Sequence, residues 1–132
     1  YKRQKISRVG VGSAAQDVLN HISFTGGAYG KVTHSDGSAN DGIVGTGDVL
    51  TIYDKNGGEM ARYTFVIYGD VNGDGAVTSM DLLYVKRHIL GTKLLEEPYL
   101  TAADANRGND GITSIDLLYI KRHILDIRYI EQ

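Results

Sequence analysis

Asp70, Asn72, Asp74 and Asp81 fall at positions i, i+2, i+4 and i+11, with Gly75 directly after the third of them. Three carboxylates and an amide at that spacing are hard oxygen donors, the set that suits calcium. With Asp70 as loop position 1, Ala76 stands at position 7, where the backbone carbonyl serves as ligand, and Thr78 at position 9, where a water often intervenes. Gly75 at position 6 permits the sharp turn. Asp81 stands at position 12 where a longer Glu is usual, so the exiting helix must sit closer to the ion. The alternative is an Asx-rich turn that only caps a helix; carboxylates at three ligand positions favour calcium.

The chemistry is duplicated. Thr78–Leu90, TSMDLLYVKRHIL, returns 35 residues later as Thr113–Leu125, TSIDLLYIKRHIL. The two copies differ only at Met80/Ile115 and Val85/Ile120. Asp104 and Asn106 match positions 1 and 3, and Asp116 matches position 12, but this loop is one residue longer. Counting back from Asp116 puts Asn109 at position 5, with Arg107 or Gly108 inserted; the other assignment makes Asp110 the middle ligand with Gly111 at the turn. Spacing leaves both open. Three Asp residues drawn together without a cation would repel, so a second calcium ion is expected.

These loops need elements to hold them. Helices are expected over Ser79–Leu90, ended by Gly91, and over Ser114–Leu125. Leu82, Val85 and Ile89 form one apolar stripe, expected to meet Leu117, Ile120 and Ile124 in a shared core. A second face carries Met80, Leu83, Lys86, Arg87 and Leu90, repeated as Ile115, Leu118, Lys121, Arg122 and Leu125. Two helices cannot bury both faces between them. An apolar stripe with central Arg and flanking Lys has the makeup of a protein interface. The repeated His88 and His123 read as boundary side chains rather than metal ligands.

The first 69 residues differ in character. Ala14–Ile22 reads as a short helix with Ser13 as its cap, and Gly26–Gly47 as loops around short strands. Asp48–Asp54 and Glu59–Tyr68 read as strands joined by a turn at Lys55–Gly58. The fold class is α+β: a small β-rich module over residues 1–69, then an all-α unit over 70–132 with two calcium loop–helix repeats.

Composition closes off other readings. The net charge of −2 gives no footprint for nucleic acid. No apolar run approaches the ~20 residues of a membrane span. Cysteine is absent, which removes disulfides, zinc–thiolate sites and thiol catalysis. The chain opens on Tyr1 without a signal-peptide pattern and reads as a piece of a longer polypeptide. No nucleophile–base–acid arrangement stands out, so no enzyme is expected. A competing class is a calcium-stabilised carbohydrate-binding module using Tyr29, Tyr53, Tyr63 and Tyr68, although the chain has no Trp.

GDVNGDGAVTSMDLLYVKRHILG followed by AADANRGNDGITSIDLLYIKRHIL resembles a dockerin, from Gly69 to about Leu125. The resemblance implies a duplicated calcium-binding module that plugs secreted enzymes and scaffold proteins of bacterial cellulosomes into cohesin modules. It implies two calcium ions, held by Asp70, Asn72, Asp74 and Asp81 and by Asp104, Asn106 and Asp116. It places the partner-choosing positions at Ser79, Met80, Leu83, Lys86 and Arg87, and at Ser114, Ile115, Leu118, Lys121 and Arg122. Met80 and Ile115 stand where many enzyme-borne dockerins carry a hydroxyl, which leans towards a more hydrophobic, anchoring interface. Residues 1–69 resemble the small X-type modules that precede such dockerins. The implied location is extracellular.

Overall fold

The computed structural model describes residues 4–6, 9–108, 111–126 and 129–132. Strands β1 (Gln4–Ile6), β2 (Tyr29–Thr33), β3 (Val49–Tyr53) and β4 (Glu59–Phe65) form one sheet in the order β1-β4-β3-β2. Its centre is the β3–β4 hairpin, antiparallel like β2–β3, whereas β1 joins β4 in parallel. Asp54 shapes the hairpin turn: its carboxylate accepts the Asn56 and Gly58 N–H groups, both at 2.9 Å.

Both strands of the hairpin are shorter than the sequence suggests, for identifiable reasons. Asp48 opens no strand; its buried carboxylate accepts the Gly45 N–H at 2.8 Å and the Asn40 amide at 2.7 Å. Strand β4 ends at Phe65 because the Ile67 N–H and C=O turn to the Thr46 hydroxyl. Helix α1 spans Ala15–Asn20 with Ala14, not Ser13, at its N-cap. The Ser13 hydroxyl donates to the Gly10 carbonyl instead, closing its own turn. The inner sheet face, through Val32, Leu50 and Phe65, packs on Ala15, Val18 and Leu19 of α1, with Val44 sealing the cluster.

The second half contains α2 (Ser79–Leu90), α3 (Tyr99–Ala103) and α4 (Ser114–Ile124). Thr78 and Thr113 cap α2 and α4 in matching capping boxes with Asp81 and Asp116. Gly91 ends α2 at φ 73°, the left-handed conformation that favours glycine. Val85 and Ile120 are fully buried between the helices, with Leu82, Leu117 and Ile124 packed beside them. Ile89 departs from the expected stripe and lies exposed. The chain returning past α2 docks on His88, whose Nδ1 accepts the Leu95 N–H at 2.9 Å.

Several connections bind the halves, among them the Thr46 N–H on Asp70. Val11 packs into the helical core. The C-terminal segment folds back: Ile130 is buried there, and the Gln132 side-chain amide pairs with the Tyr68 backbone N–H and C=O at 2.7 and 2.9 Å. Tyr129, on the same segment, is exposed; its ring sits edge-on to His123 and its hydroxyl donates to Asp126. Ile127, also apolar and in the same tail, lies outside the described residues.

Candidate metal and partner site

The first acidic loop closes on itself through backbone amides. Asp70 is fully buried and accepts the Gly73 N–H through one oxygen, and the Gly75 and Thr46 N–H groups through the other. Asp81, also fully buried, accepts from Val71, Asn72 and Thr78. It therefore ties the helix start to the loop entrance. Asn72 and Asp74 accept in turn from the Asp74 and Ala76 amides.

Oxygen atoms of Asp70, Asp74 and Asp81 all lie within 4.8 Å of one another. Burial pushes the Asp70 carboxyl up to about 7, against the pull of the Thr46 and Gly75 amides; Asp81 and Asp74 push it further in the same direction. Burial likewise raises Asp81, with Asp74 adding to the effect. Clustered, desolvated carboxylates whose mutual repulsion is unrelieved are the donor chemistry a divalent cation fits. This cluster can hold a metal ion.

The second loop keeps step with the first as far as Gly108. Asn106 accepts the Gly108 N–H just as Asn72 accepts that of Asp74. Arg107, at φ 53°, takes the left-handed place held by Gly73 at φ 81°. Asn109 and Asp110, the two candidates for the middle ligand, lie outside the described residues. Asp116 is fully buried, accepts the Asn106 and Thr113 N–H groups, and is raised by burial and by Asp104.

The expected partner face is open on both helices. Met80, Leu83 and Leu90 are exposed on α2, and Ile115, Leu118 and Leu125 on α4. The front module covers neither set. Symmetry breaks beside them. Next to α2 a cleft of about 140 Å³ opens between Val71, Tyr84, Arg87, Lys93, Leu95 and Tyr99. The matching place beside α4, at Tyr119, Arg122, Tyr129 and Ile130, is nearly closed at about 10 Å³.

The tyrosines of the carbohydrate reading do not gather. Tyr29 and Tyr53 stack at 5.3 Å on the outer sheet face, Tyr63 packs into the inner core, and Tyr68 lies under the Arg107 guanidinium.

The family model of the dockerin type I domain matches residues 68–125. Residues 68–125 are a dockerin domain. No curated protein matches the chain. Among solved structures, one similar chain comes from an Acetivibrio cellulolyticus complex between the third cohesin of ScaC and the ScaB dockerin, mutated from IN to SI in its N-terminal helix. It is 31% identical, with 50% of this chain and 92% of that chain covered and a TM-score of 0.46. The companion complex, mutated in the C-terminal helix, is 33% identical, with 49% and 90% covered and a TM-score of 0.45. Both are described as displaying a type I interaction.

Sequence reasoning missed four contacts at or beside the dockerin. The Thr46 amide on Asp70 comes from 24 residues upstream; the glycines flanking Thr46 were the available sign of close backbone approach. His88 and His123 were left without a task, yet each accepts the N–H seven residues on, from Leu95 and Ile130. Gln132 carried no signal at all.

Proposed function

We propose that this chain is a non-catalytic assembly module: a calcium-loaded dockerin that binds a cohesin. It attaches its parent protein to an extracellular, multi-enzyme, polysaccharide-degrading complex or cell-surface scaffold of a bacterium. Asp70, Asn72, Asp74, Asp81 and the Ala76 carbonyl hold one calcium ion. Asp104, Asn106 and Asp116 hold a second, with a middle ligand from Asn109 or Asp110. The ions neutralise the buried carboxylates and so fix where α2 and α4 begin.

The observation that carries this reading is a duplicated, unpaired apolar face. Met80 and Ile115 are 47% and 48% exposed, Leu83 and Leu118 37% and 44%, and Leu90 and Leu125 69% and 57%. Large apolar side chains left in water twice, at the same helix positions, favour a partner over internal packing. Ser79, Lys86 and Arg87 flank the first set, and Ser114, Lys121 and Arg122 the second, giving a polar rim around an apolar centre. Because the sets match, the cohesin can seat in two orientations related by a half-turn.

A pull-down of the full chain with a panel of cohesin modules, with and without chelator, tests the reading. Calcium-dependent capture by at least one cohesin is the expected result. No capture by any cohesin in calcium would refute it.

A further inference from the structure

The turn 43–47 of the front module lies directly on the first acidic loop. A Cβ on Gly45 would stand 2.3 Å from the Gly73 carbonyl oxygen, 2.8 Å from the Gly73 carbonyl carbon and 2.8 Å from the Gly75 nitrogen. All three are backbone atoms of the loop and cannot swing aside. The approach is mutual, since a Cβ on Gly73 would meet the Thr46 carbonyl at 2.7 Å. At the centre of this contact the Thr46 N–H donates to the buried Asp70 carboxylate at 2.9 Å.

The turn is itself anchored. Asp48 accepts the Gly45 N–H at 2.8 Å, the Gly47 N–H donates to Phe65, and the Thr46 hydroxyl holds both backbone groups of Ile67. The amide facing Asp70 is thus fixed by the sheet and not by the loop.

We propose that Gly45 and Thr46 are positioning residues of the first cation site, so that the front module and the first calcium ion bind cooperatively. This rests on the reading of the loops as calcium sites. A loop whose first ligand is already oriented loses less freedom when the ion binds. By linkage the ion must stabilise the turn 43–47 by the same free energy. The first loop is then the tighter of the two, and its affinity is set partly from outside the dockerin.

The test titrates calcium into the chelated 132-residue chain by calorimetry. Two ions with unequal affinities are expected, and Asp74→Asn assigns the tighter step to the first loop. Gly45→Ala places a methyl against the loop without straining Gly45 itself, whose φ is not left-handed. It should weaken the tight step on the order of tenfold or more, the usual cost of removing an outer-shell support, and leave the other step unchanged. An unchanged tight step overturns the proposal.

Amide hydrogen exchange on the wild-type chain gives an answer that holds even if the variant does not fold. Protection of the Thr46 N–H should rise with calcium together with that of Gly73 and Gly75. Protection at Thr46 that ignores calcium while the loop glycines respond overturns the coupling alone. A wild-type chain that takes up no calcium overturns the loop reading, and the coupling with it.

Discussion

Cutting the C-terminal clasp should destabilise the protein by a predictable amount. Ile130 is only 7% exposed, and its Cδ1 lies 2.7 Å from where a Cβ on Gly69 would stand. Ile→Ala in a core costs about 2–5 kcal/mol. Ile130 sits near a free chain end that can partly collapse into the gap, so the low end, about 2 kcal/mol, applies. Gln132 contributes two hydrogen bonds to the Tyr68 backbone, at 2.7 and 2.9 Å. Their loss re-exposes a half-buried N–H and C=O to water, for about 1 kcal/mol. The double variant Ile130→Ala/Gln132→Ala should therefore lose roughly 3 kcal/mol. At a few degrees per kcal/mol for a chain of this size, the melting midpoint should fall by about 10 °C. Glu131→Ala is the control, since the exposed Glu131–Arg107 pair is worth well under ~1 kcal/mol. Thermal melts in excess calcium, followed by far-UV dichroism, give the answer. A double variant that melts within about a degree of the parent would show that the tail is not packed, and the clasp argument would fail.

Chelation should lower the melting midpoint and the helical dichroism, because Asp70, Asp74 and Asp81 are left to repel one another; identical melts with and without chelator would count against bound calcium. Charge reversal at Leu83 and Arg87 alone should preserve most cohesin affinity, as should the same change at Leu118 and Arg122, while the combined variant should not bind. If one pair alone abolishes binding in titration calorimetry, there is a single orientation, and the open cleft beside α2 is the feature that selects it. Burial lowers His123 below its ordinary 6.5, with Asp126 opposing. The neutral ring accepts the Ile130 N–H at 3.1 Å, so this contribution is present above about pH 6.5 and is lost as pH falls through the lower folded-state value. An NMR titration of His123 should give a midpoint below that of a free histidine; a midpoint at or above it would refute the assignment.

The helical half was legible because its signals are local. Gly91 marks the end of α2, and the structure places the helix at Ser79–Leu90 as read. The acidic loop was legible for the same reason: its donors sit within twelve residues, and three of them do converge. What sequence pattern misjudged depends on long-range partners. Asp48 looked like the start of a strand, but Asn40 and Gly45 had already claimed its carboxylate. Tyr68 looked like the end of one, but Thr46 had drawn Ile67 out of the sheet. Ile89 fitted the helical period and still faces water, because the returning chain meets α2 at His88. Periodicity reports which face of a helix is apolar; it does not report how far along the helix the neighbour extends.

The backbone contact between Gly45 and Gly73 bears on how such a module can be transplanted. A junction at residues 69/70 looks convenient in the sequence, where the β-rich part gives way to the repeats. Cutting there would strip the Thr46 amide from Asp70 and remove Val11 from the helical core. It would also take Tyr68 away from Gln132. A fusion tag made from the repeats alone would present both helix faces yet carry a first loop with one wall missing. The graftable unit is the dockerin together with the sheet that supplies the turn 43–47, and a linker to cargo belongs outside both.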